Sequence, residues 1–302
     1  MWQQLLQQIS TGNPATVARV ISLVENEYEG YEAFLQSLPH THAAKTIGIT
    51  GPPGAGKSTL VDALVGELVT SGNKVAVLCV DPSSPFNFGA LLGDRIRMSD
   101  WYTNENVFIR SLATRGSLGG LHPKIIEITD VLQAASFDYI IIETVGVGQS
   151  EIEIAGLADT TVVVLVPEAG DEVQTMKSGL MEIADIFVVN KADRPGAAVF
   201  IKNLRAMLAP VFHQKKIPPA VIKTIAAQKT GVKELMEKIT ELESSLHENE
   251  RKIWLLTEKA YQLIAKKRMN DTDKQELFTR ISSKYKAGNF NMYAFVNSIT
   301  DA

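Results

Sequence analysis

The chain has 302 residues, of which 45% are hydrophobic and 21% charged, so its composition is that of an ordinary globular protein and excludes a disordered or collagen-like chain. Its net charge of -4 disfavours a general binder of nucleic acid or anionic membranes, because such proteins need a positive field. The single cysteine, Cys79, excludes an intramolecular disulfide within one chain. No signal-peptide pattern opens the sequence, and no apolar run approaches the roughly 18 to 20 residues of a membrane span, so we expect a cytoplasmic protein.

The first part of the chain, residues 1–44, contains no strand-like run. After a Gly-Asn-Pro break at 12–14, valine and isoleucine residues recur at helical spacing between 17 and 24. The sequence therefore predicts a helical N-terminal extension over 1–44.

Residues 45–248 alternate short, β-branched apolar runs with amphipathic segments. This pattern is typical of a parallel sheet that is covered by helices on both faces. The predicted strands are Lys45–Thr50, Lys74–Val80, Asn106–Arg110, Tyr139–Glu143, Thr160–Val166, Ile186–Val189 and Val221–Ile225. We therefore expect an α/β fold with one doubly wound, mostly parallel sheet.

The last part of the chain, residues 249–302, loses the strand pattern and returns to helical spacing of its apolar residues. A helical tail with an apolar stripe must cover either its own core or another copy of the chain. Homodimers are the commonest solution for such stripes, and the sequence leaves both possibilities open.

A glycine-rich turn between the first predicted strand and a helical run matches the phosphate-loop pattern of nucleotide-binding proteins. It consists of Gly51, Pro52, Pro53, Gly54, Ala55, Gly56, Lys57 and Ser58, with Thr59 next in the helix. Its backbone N–H groups and the helix N-terminus can surround phosphate oxygens. Lys57 can neutralise the β and γ phosphates, and the Ser58 hydroxyl can ligate Mg²⁺.

A second motif, Asn190-Lys191-Ala192-Asp193, follows the predicted strand Ile186–Val189. The Asp193 carboxylate can accept hydrogen bonds from N1–H and the 2-amino group of guanine, and the Lys191 stem can cover the base. Adenine offers neither donor, so an ATP-using kinase would gain nothing from this motif. The sequence therefore predicts GTP or GDP as the nucleotide.

Two further carboxylates end predicted strands at the edge of the sheet where ligands bind. Glu143 precedes a glycine-rich turn, and we expect it to contact Mg²⁺ through a bound water. Asp81 is predicted to join the Mg²⁺ shell or to orient water. In the turn after Glu143, the Gly146 N–H is placed to sense the γ phosphate, and Gln149 is a weaker candidate for positioning the attacking water.

Eight sequence motifs form one combination: Gly51–Thr59, Asp81–Pro85, Leu92–Arg95, Phe108–Arg110, Arg115–Gly120, Glu143–Glu151, Asn190–Asp193 and, in the N-terminal extension, Ala18–Asn26. Together these motifs closely resemble those of the MeaB/ArgK family of P-loop GTPases. The resemblance covers nearly the whole chain. The residues between Phe86 and Leu92 are bulkier than is usual in the family, which puts switch motion and partner identity in question rather than nucleotide binding.

The resemblance implies a slow GTPase that acts as a chaperone for adenosylcobalamin-dependent methylmalonyl-CoA mutase or a related acyl-CoA mutase. By that resemblance the nucleotide state gates cofactor loading, and the helical tail forms a dimerisation arm. The nucleotide-responsive segments of the family would fall on Asp81–Met98, Val145–Ile154 and Pro167–Lys177.

Three other functions stay open at this point. A metal-insertion GTPase would share the guanine site but needs His or Cys ligands for its cargo, and the five histidines are scattered. A transport-linked guanidino kinase would need an acceptor pocket and phosphoryl transfer to a metabolite. A nucleotide-gated binding protein would show negligible turnover.

Overall fold

The structure is a computed structural model of the chain. The structure describes residues 1–39, 44–81, 98–114, 121–144, 150–169, 178–212, 218–244, 250–269, 272–286 and 291–300. The chain forms two compact units, Met1–Ile253 and Trp254–Ala302.

The first unit is built on a sheet of seven parallel strands. They are β1 (Lys45–Thr50), β2 (Val75–Asp81), β3 (Val107–Ala113), β4 (Tyr139–Glu143), β5 (Thr160–Leu165), β6 (Ile186–Val189) and β7 (Ala220–Lys223). Their spatial order is β3-β2-β4-β1-β5-β6-β7. The chain therefore builds one half of the sheet from β1 to β4 and then crosses to the other side of β1, which confirms the predicted doubly wound α/β fold.

Twelve α-helices lie in the described part of the chain. They are α1 (Trp2–Ile9), α2 (Pro14–Glu25), α3 (Tyr31–Gln36), α4 (Lys57–Thr70), α5 (Ile125–Gln133), α6 (Ser150–Leu157), α7 (Ser178–Ile183), α8 (Ala197–Phe212), α9 (Val232–Ser244), α10 (Glu250–Arg268), α11 (Lys274–Lys286) and α12 (Met292–Thr300). Short 3₁₀ turns occupy Ser99–Trp101, Pro167–Ala169 and Ala226–Gln228.

The central strands are buried on both faces, because they are apolar runs rich in β-branched residues. On one face Ile47, Ile49 and Val164 pack with α4 and α9. On the other face Val163 and Phe187 pack with α8. The last strand is shorter than predicted: β7 ends at Lys223, and Ile225 instead forms an isolated antiparallel bridge with Thr230.

The N-terminal helices pack on the α5 side of the sheet. Helix α2 begins where the sequence breaks: the Asn13 side chain accepts hydrogen bonds from the N–H groups of Ala15 and Thr16, and Pro14 takes the first helical position. The predicted apolar stripe of α2 is completely buried. Capping and burial together explain why this extension is helical and where α2 starts.

A polar cluster made of Glu25, Arg110 and His122 attaches α2 to the edge strand β3. Arg110 Nη2 lies 2.6 Å from Glu25 Oε2, and His122 Nε2 lies 3.5 Å from Oε1 of the same carboxylate. Burial by itself raises the pKa of Glu25, but the hydrogen bonds and the electrostatic attraction of His122 and Arg110 outweigh it, so the pKa falls from 4.5 to about 2. Glu25 therefore stays ionised in the folded protein at neutral pH.

Replacing Glu25 with glutamine should destabilise the first unit by about 2 kcal/mol at pH 7, because it leaves the half-buried Arg110 without its counter-charge. Since the folded-state pKa lies below the unfolded one, the wild-type advantage is complete above about pH 5.5 and shrinks as the pH falls from 4.5 toward 2. Urea unfolding across that pH range measures the difference in unfolding free energy between the wild type and Glu25→Gln.

Glu29→Gln, at an exposed glutamate of the same extension, is the control. A pH-independent difference between Glu25→Gln and wild type would contradict the ionised cluster.

The second unit is helical and leaves many large apolar side chains exposed. They include Trp254, Leu256, Tyr261, Ile264, Phe278, Tyr285, Met292, Tyr293 and Val296. Phe295 is buried, and the cationic groups of Arg280 and Lys284 lie 5.7 and 5.4 Å from its ring centre. None of the helices in the described ranges combines the length and the apolarity needed to cross a membrane.

Candidate functional site

The phosphate loop lies between the carboxyl end of β1 and the start of α4, at the point where the strand order reverses. The Lys57 side chain is buried and folds back over the loop. Its Nζ donates hydrogen bonds to the carbonyl oxygens of Gly51 at 2.8 Å and Pro52 at 3.1 Å. The ammonium group is therefore held over the loop, close to the N-terminus of α4. The ammonium group and the helix N-terminus both contribute positive potential there.

Two glycines of the loop have conformations and surroundings that exclude other residues. Gly51 has a φ of 137°, and a Cβ added there would lie 2.1 Å from the carbonyl oxygen of Val164. Gly56 has a φ of 87°, and its Cβ would lie 2.5 Å from Nδ2 of Asn190. Close backbone approach to β5 and to the Asn190 loop thus requires glycine at both positions.

An acidic group lies at the end of the loop. The Ser58 hydroxyl donates to Oε1 of Glu143 at 2.7 Å, and both residues are buried. Glu143 is the last residue of β4, the neighbour of β1, so strand order brings it next to the loop. A hydroxyl and a carboxylate are oxygen donors of the kind that Mg²⁺ prefers. The residues present therefore fit this ion.

Asp81 is the last residue of β2, on the other side of β4. In the β2–β4 register Cys79 pairs with Glu143, so Asp81 lies two residues further toward the carboxyl edge. The backbone therefore brings Asp81 to the same edge of the sheet as Glu143. The side chain of Asp81 lies outside the part of the chain that the structure describes.

The Asn190 side chain joins three loops. Its Nδ2 donates to the carbonyl oxygen of Ala55 at 3.0 Å. Its Oδ1 accepts from the Thr224 hydroxyl at 3.1 Å and from the Ala226 N–H at 3.0 Å. Asn190 thereby connects the phosphate loop to the segment after β7.

The sequence did not single out Thr224 and Ala226 as site residues. It placed Thr224 inside the predicted strand Val221–Ile225, whereas the observed β7 ends at Lys223. Their importance emerges only from the Asn190 contacts, because β7 lies next to β6 in the sheet.

Lys191 and Asp193 lie beside this junction. Lys191 has a left-handed backbone with a φ of 54°, and its Nζ donates to the carbonyl oxygen of Gly54 at 2.7 Å. The Lys191 stem therefore extends from the Asn190–Asp193 motif, the tetrad, to the phosphate loop, while Asp193 is exposed. This arrangement leaves a carboxylate facing solvent next to a side chain that can cover a flat base.

An ion pair outside the predicted motifs connects the tetrad loop to the turn after β5. Arg194 Nη1 lies 2.5 Å from Glu168 Oε1, and both side chains are about half exposed. The hydrogen bond from Arg194 is the main cause that lowers the pKa of Glu168 below its ordinary value. Glu168 belongs to the turn Pro167–Ala169, so the tetrad loop and the start of the predicted third responsive segment are in direct contact.

Several sequence predictions lie outside the described residues. They are Gly146 and Gln149, the bulky stretch 86–92, and most of the three nucleotide-responsive segments. For these residues the sequence-based expectations stay predictions.

Comparison with known proteins identifies relatives over most of the chain. The model of a family described as "Methylmalonyl Co-A mutase-associated GTPase MeaB" matches residues 17–282. A putative GTPase of Pyrococcus horikoshii is 49% identical over 250 residues, covering 82% of this chain and 79% of that protein. The GTPase ArgK of Escherichia coli is 35% identical, covering 80% and 76%. The methylmalonic aciduria type A homolog of Caenorhabditis elegans, a mitochondrial protein, is 38% identical, covering 63% and 52%.

Solved structures share the same fold. The crystal structure of a LAO/AO transport system kinase superposes with a TM-score of 0.69 at 24% identity, over 99% of this chain and 96% of that chain. HypB from Helicobacter pylori, solved with nickel, superposes with a TM-score of 0.51 at 18% identity, over 75% and 98%. At these identities the likeness shows the fold alone.

Proposed function

The chain belongs to the MeaB family of methylmalonyl-CoA mutase-associated GTPases, and from this premise we propose that it is a chaperone that hydrolyses GTP to gate adenosylcobalamin loading and protection of an acyl-CoA mutase. Its partner would be methylmalonyl-CoA mutase or a related enzyme. The observation that carries the nucleotide-site part of the proposal is the Asn190 side chain. It bonds to Ala55 in the phosphate loop and to Thr224 and Ala226 beyond β7, so that one buried amide organises both halves of a nucleotide site.

We propose that the loop Gly51–Thr59 holds the phosphates of GTP and GDP. The Lys57 ammonium would exchange its two carbonyl contacts for phosphate oxygens, which carry more charge and so bind it more strongly. Asp193 would accept from the guanine ring, and Lys191 would cover the base. Gly146 and Gln149 keep their predicted functions near the γ phosphate.

Mg²⁺ would be held by Ser58 directly and by Glu143 through a bound water, and Asp81 would join its shell or orient water. When bound, the ion supplies positive charge against the β and γ phosphate oxygens. The contribution of the chain is to hold a hydroxyl and a carboxylate together: Glu143 accepts from Ser58 in a buried setting, which fixes both oxygens toward the loop.

Two names support the mutase partnership. The matching family is described as mutase-associated, and the Caenorhabditis elegans relative is named for methylmalonic aciduria.

We propose in addition that the chain forms a homodimer through the exposed apolar side chains of its C-terminal helices, since such large apolar surfaces are usually covered by a second copy. The cytoplasmic location stays a prediction from the sequence.

The experiment that tests the function compares GTP turnover alone and with a purified adenosylcobalamin-dependent mutase. Stimulated turnover, together with capture of the mutase from native extract by the chain loaded with a non-hydrolysable GTP analogue, would support the proposal. GDP-loaded chain is the control for nucleotide dependence. Phosphoryl transfer from GTP to a small metabolite, or capture of a nickel enzyme instead, would favour one of the rival functions.

The predicted segment Pro167–Lys177 should couple the nucleotide state to the partner. Changing Asp171 and Lys177 to alanine should leave GTP affinity and basal hydrolysis within about threefold, because surface changes alter free energies by only about 0.5 kcal/mol. The same variant should lose most of the mutase-stimulated turnover, since a loop can bias a partner only through contacts that differ between nucleotide states. Stimulated and basal turnover are measured in one preparation.

The matched control for this test is Lys233→Ala with Glu234→Ala, which removes the same two charges from the exposed surface of α9. It should keep full stimulation. Full stimulation in the Asp171 and Lys177 double variant would remove the coupling function from this segment.

A further inference from the structure

The residues at the two ends of the phosphate loop are hydrogen-bonded to two consecutive residues, Glu143, which ends β4, and Thr144, which follows it. Just before the loop, Oγ1 of Thr50 accepts from the Thr144 hydroxyl at 2.9 Å. At its end, the Ser58 hydroxyl donates to Oε1 of Glu143 at 2.7 Å. Thr50 and Thr144 are 0% and 1% exposed, so water does not compete for the bond between them.

Strand register explains why the two bonds lie on opposite faces of the sheet. Ile49 of β1 pairs with Glu143 of β4, and the Thr144 N–H donates to the Ile49 carbonyl oxygen at 3.0 Å. Side chains alternate along a strand, so Thr50 and Thr144 share the face opposite to that of Ile49 and Glu143. The end of β4 therefore holds the loop from both sides of the sheet.

The neighbouring strand β5 leaves the loop little freedom to adjust. Gly51 follows Thr50 directly, and its Cα approaches β5 so closely that a Cβ would lie 2.1 Å from the Val164 carbonyl oxygen. The first residue of the loop is thus in contact with β5, while the residue before it is bonded to β4. A shift of Thr50 would be passed directly into the loop.

We propose that Thr144 is a positioning residue for GTP hydrolysis, which acts through Thr50 to set the start of the phosphate loop relative to Glu143. This inference rests on the proposed function, because it takes the loop and Glu143 as the GTP site. Thr144 touches no nucleotide atom in this proposal. A displacement of about 1 Å in a catalytic arrangement is enough to slow a reaction strongly, and a buried hydroxyl pair prevents such a displacement.

The test compares Thr144→Val with Thr161→Val. Both changes are nearly isosteric and remove one buried hydroxyl from the same sheet, but the Thr161 hydroxyl has no hydrogen-bond partner among the described residues. Thr144→Val should lower kcat roughly tenfold or more while GDP affinity stays within about threefold. Thr161→Val should keep kcat within about twofold, and Thr144→Ser, which retains the hydroxyl, should restore most of the turnover.

A double variant separates positioning from plain stabilisation. The single change Thr144→Val leaves the buried Thr50 hydroxyl without its donor and should lower the melting temperature. The double change, Thr50→Val with Thr144→Val, removes both partners of the hydrogen bond. The double variant should therefore regain much of the melting temperature that the single variant loses. Turnover should stay low in the double variant.

Recovery of turnover together with stability in the double variant, or equal turnover in Thr144→Val and Thr161→Val, would overturn the inference alone. Equal affinity of the unaltered chain for ATP and GTP would overturn the proposed function and this inference with it.

Discussion

Asp193→Asn is expected to weaken GTP binding about a hundredfold and to improve binding of xanthosine triphosphate. In the proposed site the carboxylate would accept two charge-assisted hydrogen bonds from guanine, and their loss should cost on the order of 3 kcal/mol. Xanthine carries a carbonyl in place of the 2-amino group, so the asparagine amide can donate to it. Asp193 is exposed, so the substitution should leave the fold unchanged. Titration of the wild type and the variant with both nucleotides measures the exchange of specificity.

Asp100→Asn is the matched control for this exchange, because Asp100 is an exposed aspartate outside the tetrad. It should bind GTP as the wild type does. If the wild type bound ATP and GTP equally well, the assignment of Asn190–Asp193 to guanine would be wrong.

Lys57→Ala is expected to damage nucleotide binding and hydrolysis together. The change removes the charge that would face the β and γ phosphates in the proposed site. It also removes the ammonium group that donates to the carbonyl oxygens of Gly51 and Pro52. Glu143→Ala and Asp81→Ala should instead lose more turnover than affinity, since in the proposed site both residues would act through Mg²⁺ and water. Single-turnover hydrolysis and GDP titration separate the two effects.

Glu143→Gln makes this test sharper. The amide oxygen can still accept from the Ser58 hydroxyl, so the buried contact survives while the charge disappears. Turnover should fall about a hundredfold, because charge stabilisation at a reacting centre contributes at least this much. GDP affinity should change less than turnover does. Native turnover in the Lys57, Asp81 and Glu143 variants alike would show that the reaction takes place elsewhere.

The strands and the two nucleotide motifs could be predicted because their signals are local. A buried parallel strand reads as a short β-branched run, and the order of glycines, Lys57 and Ser58 between a strand and a helix lies within a few residues. The same applies to Asn190–Asp193, which directly follows its strand. Even the start of α2 follows from neighbouring residues, since Asn13 caps the helix that Pro14 begins.

The pairing of distant residues was decided by the tertiary structure. Ser58 and Glu143 are 85 positions apart, Thr50 and Thr144 are 94 apart, and Asn190 and Ala55 are 135 apart. The first two pairs meet because β4 lies beside β1 in the sheet. The third pair meets because β5 lies between β1 and β6, which brings the loops after β1 and β6 to one edge. This strand order differs from the order of the chain. Periodicity shows that a segment is a strand and which of its residues face inward, but it carries no information about its neighbours in the sheet. Those neighbours are selected by the packing of all helices and strands together, and they determine which polar side chains share one edge.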